Sequence, residues 1–262
     1  MKLPIFQVDA FAEKLFQGNP AAVIPLKEWL SDALMQSIAL ENNLSETAFF
    51  VSTKAGFEIR WFTPKAEVDL CGHATLATAH VIFNEASYPQ DTLTFSSRSG
   101  KLTVTKSANM LQLNFPADTI QPIDEPRELI RALGKAPKAC FLGKSDYLFV
   151  YDSQHELEQM QPDFGTLKHT GVRGIIVTAP GNTSDFVSRF FAPGLGIDED
   201  PVTGSAHTTL MPYWTDRLQK QELSARQISS RGGLLQCALQ GDRVLIAGKA
   251  RTFLRGEIFI DS

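Results

Sequence analysis

The sequence predicts an α+β protein with two pseudo-symmetric domains, in each of which a barrel-like β-sheet wraps around one central buried helix. Three observations lead to this fold class: an internal repeat, two helical segments with few charges, and strand patterns on both sides of each helix. The chain has 262 residues, of which 43% are hydrophobic. A chain of this size and composition can bury either one large core or two smaller ones.

The internal repeat is the most informative of these observations. Residues 57–64 read FEIRWFTP, and residues 186–193 read FVSRFFAP. Each copy is an alternating strand that ends in Arg-aromatic-Phe-x-Pro, and each precedes a loop with an acid, a glycine and an Ala-containing helix. Two copies about 130 residues apart indicate duplication of one unit. We therefore expect segments 57–83 and 186–218 to superpose as strand, loop and buried helix.

Both repeated helices are expected to lie in a core. The first lies near residues 72–86 and has no charge from Gly72 to Phe83, and the second lies near residues 205–218. A helix that is apolar all round is buried on all sides, and neither segment is long enough to cross a membrane. Hairpin patterns at residues 93–105 and 234–247 predict strands that surround the helices.

A proline-punctuated stretch at residues 116–137 predicts the seam between the two halves. We expect an N-terminal barrel domain at residues 1–117 and a C-terminal barrel domain at residues 118–262, with a last strand that can cross back to the first domain. Within the seam, Pro126 and Gly134 are placed as the start and stop signals of a short helix.

Charge and cysteine content exclude several classes of protein. The net charge of −4 comes without a long basic run, so no electrostatic driver for binding nucleic acid or an anionic membrane is visible. Three widely spaced cysteines, Cys71, Cys140 and Cys237, form no CxxC pair. Their number and spacing argue against a disulfide framework or a zinc site and favour a cytoplasmic protein.

The patterns for a bound nucleotide or metal are incomplete. Gly143-Lys144-Ser145 resembles the end of a phosphate loop, but position 138 is lysine where that loop needs glycine. Gly194-Leu195-Gly196 lacks the third glycine of a dinucleotide-binding fingerprint. His73 and His80 lie two helical turns apart, roughly 10 Å, which is too far for one metal ion. We therefore expect no cofactor and no metal.

The starts of the two repeated helices are candidate anion sites. Each opens with a glycine followed by a polar residue, Gly72-His73 and Gly204-Ser205. Unpaired N–H groups at a helix start bind carboxylate or phosphate. The structural alternatives are that Ser205 is an ordinary N-cap and that His73 is a first-turn histidine with its hydrogen bonds satisfied.

Two acids and one thiol near these helices have competing interpretations. Asp200 lies between an acid and a proline, which predicts a residue held in a turn. Glu46 joins a helix at residues 31–42 to a strand at residues 48–51, where a carboxylate is usually solvated. Cys71 precedes Gly72, and a helix start would lower the pKa of its thiol, although free cysteines are also among the residues most often buried for packing.

Taken together, these motifs resemble the phenazine-biosynthesis isomerase (PhzF-like) family, whose fold is similar to that of diaminopimelate epimerase. The motifs are Asp9-Ala-Phe11, Gly18-Asn19-Pro20-Ala-Ala-Val23, Leu44-Ser45-Glu46-Thr47-Ala48-Phe49, Phe62-Thr63-Pro64, Gly72-His73-Ala74-Thr75, Asp200-Pro201-Val202-Thr203-Gly204-Ser205-Ala206 and Arg231-Gly232-Gly233. The resemblance covers nearly the whole chain. It implies a homodimer, no cofactor, and a site for a small anionic substrate in the cleft between the domains.

The resemblance also implies roles for individual residues. Glu46 matches the family's general acid/base, and His73 and Asp200 match its substrate-contacting and proton-handling partners. The backbone positions that face the substrate match Gly72, Gly204 and Ser205. The implied activity is the transfer of a proton within a small cyclic or amino-acid-like carboxylate.

One departure separates this chain from the epimerase relatives, in which two cysteines face each other. Cys71 occupies the first cysteine position, but Pro201 occupies the second. A two-thiol racemase is therefore excluded. Two alternatives to the isomerase stay open: an epimerase or racemase that uses Glu46 with Cys71, and a non-catalytic protein that binds a small molecule. The substrate is not identified by the sequence.

Overall fold

The computed structural model describes residues 1–85 and 88–261. The chain divides into two compact units, Met1–Asn114 with Ala247–Ser262 (unit 1) and Phe115–Ile246 (unit 2). The seam expected at residues 116–137 therefore begins close to the point where the chain enters unit 2. Within the described residues, no helix has both the length and the apolar character needed to cross a membrane.

Unit 1 is a mixed sheet with two helices. Its elements are β1 (Lys2–Ala10), β2 (Asn19–Leu26), α1 (Asp32–Asn42), β3 (Glu46–Thr53), β4 (Gly56–Phe62), β5 (Glu67–Val68), α2 (Gly72–Glu85), β6 (Thr92–Ser97), β7 (Gly100–Ser107), β8 (Met110–Pro116), whose last residues pass the unit boundary, and the final strand of the chain, β17 (Ala250–Phe259). The strands pair in the order β17-β1-β2-β3-β4-β6-β7-β8, and β5 pairs with the end of β4. The β2–β3 and β4–β6 pairs are parallel and the others are antiparallel.

Helix α2 is the core element of unit 1. Its residues from His73 to Ala79 and from Val81 to Phe83 are all buried. It packs against β1, β2, β3, β7 and β17, so strands from across the sheet surround it. This arrangement follows from the sequence, because an uncharged helix face can only be covered by apolar strand faces. The expected extension of this helix to residue 86 lies outside the described residues.

Unit 2 contains the rest of the elements. They are β9 (Gln121–Pro122), α3 (Arg127–Leu133), β10 (Ala139–Leu142), β11 (Asp146–Val150), α4 (Gln154–Gln159), α5 (Phe164–His169), β12 (Gly174–Pro180), β13 (Phe186–Phe191), a 3₁₀ turn (Pro193–Leu195), α6 (Gly204–Leu218), β14 (Glu222–Gln227), β15 (Gly233–Gln240) and β16 (Arg243–Gly248), which ends beyond the unit boundary. The strands β9 to β15 pair in chain order, with β11–β12 and β13–β14 parallel and the other pairs antiparallel.

The two units repeat one order of strand pairing. In unit 1 the strands β2, β3, β4, β6 and β7 pair as parallel, antiparallel, parallel and antiparallel. In unit 2 the strands β11 to β15 pair in the same sequence of directions. The buried helix also enters at the same place, between β4 and β6 in unit 1 and between β13 and β14 in unit 2. The α+β fold class with two similar domains is confirmed.

The repeated arginine has the same structural task in both units. Arg60 forms two hydrogen bonds of 2.7 Å each to the Glu67 carboxylate, and Arg189 forms two of 2.7 and 2.9 Å to Glu199. Both pairs are largely buried. A bidentate arginine–carboxylate pair has a defined direction, so each pair ties the loop before the helix to the preceding strand. This explains why the Arg-aromatic-Phe pattern recurs.

Candidate functional site

The candidate site in unit 1 begins at Glu46, the first residue of β3. Helix α1 ends at Asn43 in the left-handed conformation, with φ 48°, and the chain then enters β3, where Glu46 lies opposite Ala21 in the parallel ladder. The Glu46 side chain is only 14% exposed. The local sequence favoured a solvated carboxylate at this position, and that interpretation is wrong because the neighbouring elements cover the side chain.

His73 links Glu46 to two other polar side chains. It is the second residue of α2, and its Nε2 lies 3.2 Å from Glu46 Oε2. On the opposite side of the ring, Nδ1 lies 3.2 Å from Asn19 Nδ2 and 3.6 Å from Cys71 Sγ. An amide nitrogen can only donate, so in the neutral form of the ring Nδ1 accepts from Asn19 and the proton lies on Nε2, the nitrogen that faces Glu46. The charged form carries a proton on both ring nitrogens, and its Nδ1 no longer accepts.

The electrostatics of this cluster favour a charged imidazole and a neutral thiol. The pKa of Cys71 is raised to about 11, mainly by burial and also by Glu46, against the opposing effect of His73. The expectation that a helix start lowers the pKa of this thiol is therefore wrong. Burial lowers the pKa of His73, but Cys71 and Glu46 outweigh it, so this pKa lies well above 6.5. Since the thiol is protonated at neutral pH, Glu46 is the group that sustains the imidazolium.

The cluster can hold and transfer a proton. A carboxylate and an imidazolium in contact provide an acid and a base at one place, in surroundings where charge interactions are strong. The ligand atoms of Glu46, Cys71 and His73 all lie within 4.8 Å of one another, and these are the residues of the described chain that could together hold a metal ion. Their sequence spacing predicted no such group. The histidine pair considered from the sequence does not form a site, because His80 contacts Asn84 and Thr252 instead.

The candidate site in unit 2 is centred on Asp200. This residue is 8% exposed, its backbone N–H donates to Phe190 at 3.0 Å, and its carboxylate accepts a short hydrogen bond from the Thr203 hydroxyl. Asp200 is thus held in the loop before α6, as a turn-held residue should be. Gly204 begins α6 and Ser205 follows it.

The start of α6 differs from the N-cap interpretation of Ser205. The N-cap is Thr203, and its side chain makes no capping bond within the described residues. Its hydroxyl is engaged with Asp200 instead. The Thr203 side chain therefore donates to Asp200 instead of capping the helix. The first N–H groups of α6 are left for other partners.

Gln227, at the end of β14, holds this loop and was not found from the sequence. Its side-chain oxygen accepts from Thr203 N at 2.8 Å, and its amide nitrogen donates to Asp200 O at 2.8 Å and to Thr203 Oγ1 at 3.2 Å. The Gln227 side chain has no exposed surface. The buried Gln227 amide therefore holds the backbone of Asp200 and Thr203 in place, together with the Thr203 hydroxyl that contacts the Asp200 carboxylate. A glutamine 24 residues or more from its partners carries no recognisable sequence signal.

The Arg231-Gly232-Gly233 motif lies beside the same loop. The Ser229 hydroxyl donates to the carbonyl of Pro201 at 2.7 Å and accepts from Gly232 N at 3.0 Å. Gly232 has φ +65°, a conformation that favours glycine. The motif thus forms a turn that packs next to the residue after Asp200.

The loop that resembled a phosphate-binding motif binds an acid of its own chain. Lys144 N donates to both oxygens of the Asp118 carboxylate at 3.1 Å, and Thr209 Oγ1 donates to the same carboxylate at 2.9 Å. A Cβ on Gly143 would lie 2.4 Å from Asp118 Oδ2. The glycine therefore permits the close approach of a carboxylate, which accounts for the sequence pattern without a nucleotide.

Comparison with solved structures assigns the fold to an epimerase-like class. A hydroxyproline epimerase from Agrobacterium vitis, with bound trans-4-hydroxy-L-proline, matches with a TM-score of 0.66 over 100% of this chain and 93% of that chain, at 11% identity. More particularly, the chain belongs to the phenazine biosynthesis-like (PhzC-PhzF) family, whose model matches residues 8–256. It is an isomerase, as the names of its bacterial relatives indicate.

Several relatives are similar over their whole length. An uncharacterized isomerase of Pseudomonas aeruginosa is 50% identical over 260 residues, which cover 99% of this chain and 100% of the relative. A human phenazine biosynthesis-like domain-containing protein is 41% identical over 286 residues, with 98% and 99% covered. The crystal structure of a PhzF family protein from Enterococcus faecalis matches with a TM-score of 0.96 at 49% identity, over 99% of this chain and 100% of that one. The resemblance inferred from the motifs is confirmed.

Proposed function

We propose that the protein is a cofactor-independent isomerase that moves a proton within a small carboxylate-bearing substrate, with Glu46 as general acid/base. The observation that carries the proposal is the buried contact between Glu46 and His73, 3.2 Å between Oε2 and Nε2. A buried carboxylate next to an imidazole has the two properties that proton transfer requires, a defined position and exclusion from bulk water.

In this mechanism Glu46 removes a proton from an activated carbon and returns a proton to a nearby carbon of the same substrate. His73 carries positive charge beside Glu46 and contacts the substrate. The N–H groups at Gly72 bind the substrate carboxylate, because a helix start stabilises negative charge. We propose that Asp200 handles a proton in the same reaction and that the backbone of Gly204 and Ser205 binds polar groups of the substrate. The hydrogen bonds that hold the Asp200 loop in place support this role.

The proposed substrate class is a cyclic or amino-acid-like carboxylate. Three solved structures with this fold are named for small carboxylates: the hydroxyproline epimerase, a probable proline racemase from Agrobacterium radiobacter and a methylitaconate isomerase. Their sequence identity to this chain is 9–11%, so they support the class of substrate and not its identity. An epimerase that uses Cys71 is less favoured, because its thiol stays protonated at neutral pH.

Two further parts of the proposal concern the protein's assembly and location. We propose a homodimer, which rests on the family resemblance. We propose a cytoplasmic location, which is supported by the three cysteines, all of them free and buried within the described chain.

The proposal is tested by exchange of solvent deuterium into substrate. A panel of cyclic and unsaturated carboxylates, including L-proline and trans-4-hydroxy-L-proline, is incubated with the protein in D₂O and followed by NMR. We expect Glu46→Gln to bind the active compound nearly as well as the wild type, and its exchange rate to fall by roughly 10²–10⁴-fold, the usual effect of removing a general acid/base.

Glu41→Gln, at an exposed position of α1, is the matched control and should exchange at the wild-type rate. Exchange that survives in Glu46→Gln and disappears in Cys71→Ala would move the base to the thiol and make the epimerase the better assignment. Binding of a panel compound without any exchange would favour a non-catalytic binding protein.

A further inference from the structure

The Glu46 cluster combines three different metal-binding donors in one buried place. Cys71 offers sulfur, His73 nitrogen and Glu46 oxygen, and these atoms lie within 4.8 Å of one another. Cys71 and His73 are buried, with 7% and 5% of their surface exposed. Such proximity of residues from two different elements arises only in the folded chain, since Glu46 begins β3 and the other two residues lie at the start of α2.

Each of two distances in the cluster is close to that between neighbouring ligands of a zinc site, but one ion can use only one of the two. Zinc binds sulfur at about 2.3 Å and nitrogen or oxygen at about 2.0–2.2 Å, so neighbouring ligand atoms of a tetrahedral site lie roughly 3.3–3.7 Å apart. The Glu46 Oε2 to His73 Nε2 distance is 3.2 Å, and the Cys71 Sγ to His73 Nδ1 distance is 3.6 Å. Because these contacts use opposite ring nitrogens, a side-chain rotation of Cys71 or Glu46 is needed to bring all three donors to one ion.

In the described part of the chain, two of the atoms that could bind a metal ion also lack a hydrogen bond. Glu46 Oε2 and His73 Nε2 lie 3.2 Å apart, and both are buried without a directed hydrogen bond among the described residues. A buried polar atom without a partner is unfavourable. A cation bound between them would satisfy both atoms at once.

We propose that Glu46, Cys71 and His73 form an inhibitory binding site for Zn²⁺. A mixed sulfur, nitrogen and oxygen set selects zinc over Mg²⁺ and Ca²⁺, which require oxygen ligands. On binding, the Cys71 thiol and the His73 imidazolium each release a proton to solvent as the sulfur–zinc and nitrogen–zinc bonds form, and a water molecule completes the fourth position. The inhibitory effect rests on the proposed function, because an ion bound to Glu46 prevents the carboxylate from accepting a substrate proton.

The site is tested with the metals alone. Co²⁺ replaces Zn²⁺ in mixed sulfur and nitrogen sites, and its bond to a thiolate produces a charge-transfer band in the near ultraviolet. We expect one Co²⁺ per chain with this band, displacement of Co²⁺ by Zn²⁺, and no binding of Mg²⁺ in calorimetry. In Cys71→Ser the band should be lost and the affinity for zinc should fall at least 10-fold, since even indirect partners of a metal ligand contribute 10-fold or more.

Cys140→Ser is the matched control, because it removes a buried thiol of unit 2 and should leave band and affinity unchanged. Circular dichroism checks that each variant is folded. A band that persists in Cys71→Ser, or the absence of Zn²⁺ and Co²⁺ binding by the wild type, would overturn the zinc site.

The zinc site and the proposed function can fail separately. With an active compound in hand, Zn²⁺ should stop deuterium exchange by the wild type and a chelator should restore it. Metal binding as expected, with exchange undiminished in Glu46→Gln, would refute the proposed function and leave the site standing. Loss of exchange in Glu46→Gln without metal binding would refute the site alone.

Discussion

Replacing Gln227 by methionine should destabilise the protein and misplace Asp200. Methionine is similar in length and apolar, so it fills the same volume without the three hydrogen bonds that Gln227 makes to Thr203 and Asp200. Two backbone groups, Thr203 N–H and Asp200 C=O, lose Gln227 as a partner. A buried polar group that loses its partner costs about 1–3 kcal/mol. Since the loop can relax in part, we expect the free energy of unfolding to fall by about 2–4 kcal/mol.

The measurement is urea unfolding followed by circular dichroism, with exchange kinetics on the folded variant. Gln236→Met, at an exposed position of β15, is the matched control and should change stability by no more than about 0.5 kcal/mol. If Asp200 handles a proton, Gln227→Met should also lower the maximal exchange rate more than it weakens substrate binding. If the free energy of unfolding of Gln227→Met lay within about 0.5 kcal/mol of the wild-type value, the role of Gln227 in holding the Asp200 loop would be refuted.

Two further predictions concern stability. The pKa values of His80 and His207 are lowered to about 4, in both cases by burial first and for His80 also by two arginines. A histidine whose pKa is lowered by folding stabilises the folded chain above about pH 6.5, its usual pKa in the unfolded chain, and this stabilisation is lost as the pH falls toward 4. We therefore expect each of the two histidines to lower the free energy of unfolding by about 1–2 kcal/mol between pH 7 and pH 5. In His80→Gln, the free energy of unfolding measured with urea should change less with pH than in the wild type. An unchanged pH dependence would contradict the prediction. Separately, a Cβ at Gly174 would lie 2.4 Å from the ring of Phe190, so Gly174→Ala should lower the free energy of unfolding by about 1–3 kcal/mol. Gly256→Ala, whose Cβ would make only ordinary contacts, is its control, and equal melting temperatures for the two variants would refute the steric argument.

Much of the fold was predictable because the chain repeats itself. The pattern Arg-aromatic-Phe-x-Pro predicted equivalent strands, and β4 and β13 are equivalent in their pairing. The hairpin pattern at residues 93–105 appears as β6 and β7. The end signals at Pro126 and Gly134 bound α3. These features depend on contacts between residues close in sequence, for which periodicity and turn preferences are sufficient.

Other elements had no clear local pattern. The sequence patterns did not predict strands β11 and β12, although these form a parallel pair in the core of unit 2. A strand buried on both faces is a short apolar run, which a buried helix segment resembles in sequence. The placement of β17 beside β1 joins residues 2 and 259. Such a pairing is decided by which sheet edge is free, and sequence spacing does not contain that information.

The sequence by itself determined the repeated unit, the two buried helices and, through the motif set, the family. The tertiary structure decided the chemistry. Glu46 reads locally as a solvated carboxylate, yet folding buries it against His73. The sequence left Cys71 as either an activated thiol or a cysteine buried for packing, and the folded chain buries it and raises its pKa to about 11. The physical reason is that periodicity and helix signals act over a few residues, whereas burial and charge pairing depend on every element packed around a group.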